Sequence, residues 1–273
     1  MSTRCWIDGV AADTLPVLDR GLHYGDGLFE TLAVKDGHIG LLQSHLERLQ
    51  EGCTRLGLPM PSVETLDTEL HTAAAGEALA VLKLMITRGE GGRGYRPPAE
   101  TRPRRILLRY PWPEYPAAWS QDGARVRICD MRLAEQPRLA GMKHLNRLEQ
   151  VLARAEWNEA DGYQEGLMLD AGSRVVEGTM TNVFAASREG GLLTPDLSRA
   201  GVAGVMRRHI LERAAAAGIH VRVTELSLAE LMQAHEIFLC NSLIGVWPVA
   251  ELDGHSYAVG SVTRQAQRWA DAC

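Results

Sequence analysis

The sequence predicts an α+β protein in two domains, and three observations carry that prediction. Short strand-like runs bounded by Gly, Pro and Asp are interspersed with apolar stripes at helical spacing. At 273 residues the chain suffices for one large core or two modest ones. A stiff proline-rich connection, Pro111-Trp112-Pro113-Glu114-Tyr115-Pro116, interrupts the pattern. The expected division is a smaller N-terminal α/β domain over 1–112, a linker over 113–119 and a larger C-terminal domain over 120–273.

Taken in order, Cys5-Trp6-Ile7-Asp8-Gly9 reads as a short strand ending in a turn. Residues 28–34 and 38–41 flank Asp36-Gly37, a pair that accepts the positive φ angles of a hairpin turn. Just upstream, the 19–27 stretch DRGLHYGDG is too glycine-rich for a regular element, yet it carries Arg, His, Tyr and Asp. It is either a plain surface turn or the wall of a site. Leu42, Leu46, Leu49, Cys53 and Leu56 then recur at helical spacing until Gly57 and Pro59 stop them. His45, Arg48, Gly52 and Arg55 form a neighbouring stripe. Arg48 there admits two readings, a solvated helix arginine or a phosphate ligand suited to the guanidinium fork.

A helix over 63–75 and a strand over 78–88 lead into a loop, TRGEGGRGYRPP at 87–98. Its glycines allow close approach and its arginines offer positive charge. The Lys-Ser/Thr ending of a Walker loop is absent, so carboxylate recognition by bidentate arginine fits better. Strands follow at 104–110, 125–131, 165–170, 174–177 and 182–186. Gly201-Val202-Ala203-Gly204-Val205-Met206-Arg207 opens a helix running to about 217. Its first amides either hold a phosphate, or the glycines merely shape the helix start. A strand at 221–224, a short helix near 228–233, a strand at 236–240, a turn at 241–243 and a helix ending near Trp269 complete the chain.

Composition excludes several classes. A net charge of −5 without a basic stripe argues against nucleic acid and anionic membrane as partners. No apolar run approaches membrane-spanning length, and MSTRCWIDG lacks the hydrophobic core of a signal peptide, so a cytoplasmic protein is expected. Cys5, Cys53, Cys129, Cys240 and Cys273 are odd in number and scattered, which argues against a disulfide framework or a zinc site and leaves no metal expected.

Lysine is scarce. Only Lys35, Lys83 and Lys143 occur among 29 basic residues. Lys35 belongs to the hairpin turn, and Lys83 reads as a strand lysine reaching solvent. Lys143 follows a flexible Ala-Gly and precedes a helix whose Leu148, Val151, Leu152 and Ala155 share a face. Partly desolvated at the mouth of such a helix, its amine would serve as nucleophile and base; otherwise it is an ordinary lysine near a helix start.

Singly these signals are weak, but their order is informative. GMKHLNRLEQ around Lys143 resembles the lysine segment of the fold-type IV pyridoxal phosphate enzymes, and more narrowly that of the aminodeoxychorismate lyases. The resemblance spans the chain through YGDGLFET (24–31), HLERL (45–49), TRGEGGRGY (87–95), VVEGTMTNVF (175–184), GVAGVMR (201–207) and CNSL (240–243). GGRGY and KHLNRLEQ favour the lyase over its transaminase relatives. The resemblance implies a cofactor, pyridoxal 5′-phosphate, held between the two domains and covalently carried by Lys143, which also moves protons. It implies Arg48, Gly204, Val205, Met206 and Ser242 around the phosphate and Glu177 at the pyridine nitrogen, where a carboxylate keeps the ring protonated. Thr31 would relay a proton beside the reacting centre, Arg93 with Tyr95 would take a substrate carboxylate, and Tyr24 would lie near the cofactor's substrate face. One departure is plain: relatives carry a tyrosine shortly after the lysine, where Leu148 stands, which speaks against a branched-chain aminotransferase.

The implied activity is conversion of 4-amino-4-deoxychorismate to 4-aminobenzoate and pyruvate, in folate biosynthesis, by a homodimer. The alternatives are a transaminase of the same fold acting on D-amino or branched-chain amino acids, and a non-catalytic ligand-binding homologue.

Overall fold

The computed structural model describes residues 3–187 and 191–273. The chain separates into two compact units, one of Met1–Pro113 with Met142–Asn146, the other of Glu114–Gly141 with Arg147–Cys273. The proline-rich stretch therefore contains the division. The strip around Lys143, expected within the C-terminal domain, groups instead with the first unit.

The first unit is a six-stranded antiparallel sheet backed by helices. In chain order it contains β1 (Arg4–Ile7), β2 (Val10–Ala11), α1 (Arg20–Tyr24), β3 (Gly27–Lys35), β4 (His38–Ile39), α2 (Leu42–Leu56), α3 (Val63–Ala74), β5 (Leu79–Thr87) and β6 (Arg104–Pro111). The strand order is β2-β1-β6-β5-β3-β4. Asp36 and Gly37 both take positive φ, 49° and 76°, which closes the β3–β4 hairpin.

Strand alternation sorts the side chains. Leu28, Glu30, Leu32 and Val34 pair in register with Ile86, Leu84, Leu82 and Ala80. All eight are buried, on the face where Leu46, Leu49 and Cys53 of α2 and Leu66 and Leu70 of α3 supply the core. Fully burying one such leucine is worth about 1.5–3 kcal/mol. Gly52 lets α2 come close, because a Cβ there would lie 2.7 Å from Leu28 Cδ1. The opposite face carries Phe29 and Thr31, whose register partners are Met85 and Lys83.

The second unit begins with α4 (Ala117–Gln121) and β7 (Ala124–Leu133), then α5 (Leu148–Arg154), β8 (Glu165–Asp170), β9 (Arg174–Gly178), β10 (Asn182–Ala186) and β11 (Leu192–Pro195). There follow α6 (Val205–Ala216), β12 (Val221–Thr224), β13 (Leu226–Ser227), α7 (Leu228–Met232), β14 (Glu236–Asn241), β15 (Gly245–Leu252), β16 (His255–Ser256) and α8 (Ser261–Asp271). Its mixed sheet runs β12-β11-β10-β14-β15-β7-β8-β9-β13, with β16 on β15. One core gathers Val126, Leu167, Val183, Leu239 and Trp247; another gathers Cys129, Leu133, Trp157, Met168 and Val176. Tyr115 and Trp119 pack edge-on against Trp247 at 5.0 and 5.2 Å, so the expected linker is fastened to this unit by its aromatics.

Several short elements were not expected from the sequence, and three departures have a clear physical reason. The 19–27 stretch contains a helix, α1, capped by Asp19 Oδ1 accepting from Gly21 N–H and closed by Gly25 at φ 60°. β15 was hidden by Pro248, whose missing N–H argues against an inner strand. The proline is tolerated because β15 pairs with β7 only from Val249 onward, where the register shifts. In α5, Leu148, Val151 and Leu152 are 75%, 59% and 56% exposed, so that apolar stripe is not core; Ala153 is the residue it buries.

Candidate active site

Lys143 is presented by a strand-like strip, not at the mouth of a helix. α5 begins only at Leu148, with Arg147 as its N-cap. The 142–146 strip runs along the start of β3: Phe29 N–H donates to Lys143 O at 2.9 Å, and Leu145 N–H donates to Gly27 O at 3.0 Å. Gly27 makes this approach possible, since a Cβ there would lie 2.3 Å from Ile86 O and 2.9 Å from Leu145 Cδ1. Lys143 Nζ stands 4.6 Å from the centre of the Phe29 ring, and Lys83 Nζ stands 5.1 Å from the same centre. Thr31 lies opposite Lys83 on that face.

On the helix face of β3, Glu30 joins Arg48 to His45. Arg48 Nε donates to Glu30 Oε1 at 2.8 Å and Arg48 Nη2 donates to Oε2, a two-point pairing. His45 Nδ1 meets the same Oε2 at 2.6 Å. Burial works to raise the Glu30 carboxyl, but the Arg48 charge and the hydrogen bonds from His45 and Arg48 outweigh it and bring its pKa down to about 2. Burial lowers His45 despite Glu30, so the ring is neutral and its Nδ1–H must be the donor to the carboxylate. His45 Nε2 is buried without a hydrogen-bond partner among the described residues. Arg48 is only 11% exposed, which rules out the solvated-helix reading.

Arg93 and Tyr95 sit on the glycine-rich loop and are both exposed, Tyr95 by 85%. Tyr24 is tied to the same loop: its hydroxyl accepts from Gly94 N–H at 3.2 Å and its ring meets Tyr95 edge-on at 5.5 Å. Sequence reasoning missed Arg20, which donates to the carbonyls of Gly94 and Tyr95 from beneath. The available signal was an arginine inside a glycine-rich stretch of the kind that forms site walls.

In the second unit Glu177 lies at 4% exposure on β9, and its Oε2 accepts from Val202 N–H at 2.8 Å. That excludes a solvent-facing strand end. Asn182 spans the same loop, donating from Nδ2 to Val202 O at 2.9 Å and accepting at Oδ1 from Gly204 N–H at 3.1 Å. α6 then starts at Val205 with no side-chain cap. A Cβ on Gly204 would fall 2.0 Å from Asn182 Oδ1, so glycine is required by crowding, not by φ. This 12-residue helix begins with amides of Val205 and Met206 that no side chain caps, a start suited to a phosphate.

Ser242 sits in the turn between β14 and β15. Asn241 shapes that turn, its Oδ1 accepting from Leu243 N–H and Ile244 N–H at 2.8 and 2.9 Å, while its Nδ2 donates to Met180 O at 3.1 Å. The 178–181 bend is held from below by buried Glu165, which accepts from Thr179, Met180 and Thr181. Neither Asn241 nor Glu165 was singled out from sequence. The first unit thus collects Lys143, Thr31, Arg48, Tyr24, Arg93 and Tyr95, and the second collects Glu177, Gly204, Val205, Met206 and Ser242.

In the first unit an amine and a buried arginine, and in the second an uncapped helix start and a buried carboxylate, are each of a chemistry that suits an aldehyde-bearing phosphate cofactor. All five cysteines are free, and no metal-binding cluster occurs among the described residues. No helix among them is long and apolar enough to cross a membrane.

Known proteins share this fold. The chain is 37% identical over 266 residues to an aminodeoxychorismate lyase of Vibrio harveyi, covering 96% of this chain and 97% of that one. The crystal structure of 4-amino-4-deoxychorismate lyase from Pseudomonas aeruginosa superposes with a TM-score of 0.93 at 55% identity, over 97% of both chains. A branched-chain amino acid aminotransferase of Escherichia coli superposes at 0.85 with 25% identity, over 97% of this chain and 92% of that one. The sequence pattern of the amino-transferase class IV family matches residues 27–252, and the chain belongs to that pyridoxal phosphate-dependent family.

Proposed function

We propose that the protein is a pyridoxal phosphate-dependent lyase that converts 4-amino-4-deoxychorismate to 4-aminobenzoate and pyruvate, serving folate biosynthesis. The observation that carries this reading is the near-full-length likeness to two lyases, at higher identity than to the transaminase of the same fold.

The residues present fit the cofactor. Lys143 Nζ would hold its aldehyde carbon covalently. Arg48, the amides of Val205 and Met206 behind Gly204, and the Ser242 hydroxyl would hold its phosphate. Glu177 would keep a proton on the pyridine nitrogen. When bound, the cofactor supplies an electron sink for the pair left when a C–H bond beside the substrate amine breaks.

Lys143 Nζ, once freed by the substrate amine, would take the proton from the amine-bearing ring carbon. Thr31 Oγ1 serves as a proton relay on the Phe29 face. Arg93, with Tyr95 and Tyr24 around it, receives a substrate carboxylate. The neighbouring C–O bond breaks, the ring becomes aromatic, and the departing enolpyruvyl group gains a proton as it becomes pyruvate. That proton balances the one lost from the ring carbon, so no second substrate is needed.

We also place the enzyme in the cytoplasm as a homodimer. Five free thiols suit a reducing compartment, and the exposed Leu148, Val151 and Leu152 offer apolar surface to a second copy. Light scattering at micromolar concentration checks the dimer.

The test of the activity supplies 4-amino-4-deoxychorismate, made in situ from chorismate and glutamine by a synthase, and no keto acid. Continuous 4-aminobenzoate and pyruvate in equal amounts is the expected result. Keto-acid-dependent turnover of branched-chain or D-amino acids without 4-aminobenzoate would hand the protein to the transaminases.

A further inference from the structure

The glycine-rich loop that carries Arg93 is fastened at both ends and exposed at its tip. At its start, Arg20 N–H donates to Gly89 O at 2.9 Å and Gly91 N–H donates to Leu18 O at 3.3 Å. At its end, Arg20 Nη1 donates to Gly94 O at 3.0 Å and Arg20 Nη2 donates to Tyr95 O at 2.9 Å. The Tyr24 hydroxyl also accepts from Gly94 N–H at 3.2 Å. Between these ties lies Gly92, where an added Cβ would meet nothing within 4 Å, followed by exposed Arg93.

Arg20 can grip the loop because it is itself fixed. Its side chain is 4% exposed, and its guanidinium carbon lies 4.7 Å from the centre of the Tyr24 ring. Its Nε donates to Asp26 Oδ2 at 2.8 Å. The same oxygen accepts from Arg88 Nε at 2.8 Å. Arg88 in turn caps the end of α2, donating to Leu56 O and Gly57 O at 2.9 Å each. One carboxylate oxygen therefore ties the loop to the end of the helix that bears His45 and Arg48. A planar fork with several fixed donors is what this geometry requires, and a lysine cannot reproduce it.

We propose that Arg20 is a positioning residue for substrate specificity: by clamping Gly94 and Tyr95 it holds Arg93 where a substrate carboxylate binds. This rests on the reading of Arg93 as the carboxylate ligand. Arg20 contacts Asp26, Tyr24 and the loop carbonyls, whereas Lys143 Nζ faces Phe29, so Arg20 acts on substrate affinity and not on proton transfer.

The test is a double-mutant cycle on the cofactor-loaded enzyme, with R20K, R93A and R20K/R93A assayed for 4-aminobenzoate formation. R20K is expected to raise KM about tenfold, the loss of roughly one charge-assisted hydrogen bond, with kcat within about twofold of the parent. The cofactor absorbance should match the parent. In the R93A background, R20K should change KM no further. Asp26→Asn, which removes the charge that anchors Arg20 Nε at 2.8 Å, gives a second route to the same readout should R20K fold poorly, and an unchanged KM in D26N would then overturn the proposal. An R93A variant with raised KM beside an R20K variant with parental KM would overturn the clamp while leaving Arg93 as ligand. Equal effects of R20K with and without Arg93 would make Arg20 a purely structural residue and overturn it too. A parental KM for R93A would instead remove the reading on which the proposal stands.

Discussion

Glu30 and Arg48 face each other as a buried two-point ion pair, the Arg48 Nε–Glu30 Oε1 contact at 2.8 Å, with His45 Nδ1 completing the carboxylate at 2.6 Å. The pair joins β3 to α2 and fixes the plane of a guanidinium that would otherwise swing on a flexible stem. A cation held in that way would meet an anion with little further entropy cost of ordering.

Glu30 should give the protein an acid-sensitive stability. Its folded pKa is about 2, below the ordinary carboxylate range, so its stabilising effect is full above about pH 4.3 and is lost as pH falls toward 2. The difference corresponds to about 3 kcal/mol at neutral pH. Equilibrium unfolding of the parent should weaken through that window, whereas Glu30→Gln should start less stable and show a flatter curve. Parallel curves for the two proteins would show that Glu30 does not titrate this way.

Arg48 needs two variants to separate its roles. Arg48→Ala leaves a buried carboxylate without its main cation and should cost about 3–5 kcal/mol of stability. Adding Glu30→Gln should recover most of that loss. Retention of the cofactor through dialysis should not recover, because a charge-assisted phosphate contact worth roughly 1.5–3 kcal/mol is still missing. Full retention in the double variant would confine Arg48 to a structural role.

Lys143→Ala should abolish the borohydride-reducible covalent link to the cofactor and nearly all turnover. Lys83 is the informative control, since its amine flanks the same Phe29 ring at 5.1 Å. Peptide mapping that found the reduced cofactor on Lys83 would overturn the assignment.

Gly204→Ala should disturb the phosphate cradle without unfolding the unit. The new Cβ would lie 2.0 Å from Asn182 Oδ1, forcing that side chain off both Gly204 N–H and Val202 O. Cofactor affinity should fall about tenfold or more, the loss of roughly one well-placed phosphate contact. Asn182→Ala in the same background should add little, because the hydrogen bonds it would remove are already broken.

How much of this was legible in the chain follows from the range of each interaction. The sequence by itself determined the elements whose signals are local. The α2 periodicity and the Asp36-Gly37 turn depend on neighbours a few residues away, and both stand where expected. It also determined the family, because motifs in a fixed order survive without any geometry. Tertiary structure alone decided what Arg48 pairs with, since Glu30 is 18 residues away and charges at that separation carry no periodic signature. It alone showed that Lys143 rides on a strip beside β3 and that the Leu148 stripe stays exposed, because an apolar face reads the same whether or not anything covers it. What Arg20 holds was illegible for the same reason, although its place in a glycine-rich stretch was a signal. Its carbonyl partners lie 74 and 75 residues onward, and any backbone carbonyl looks like any other until the fold brings one into reach.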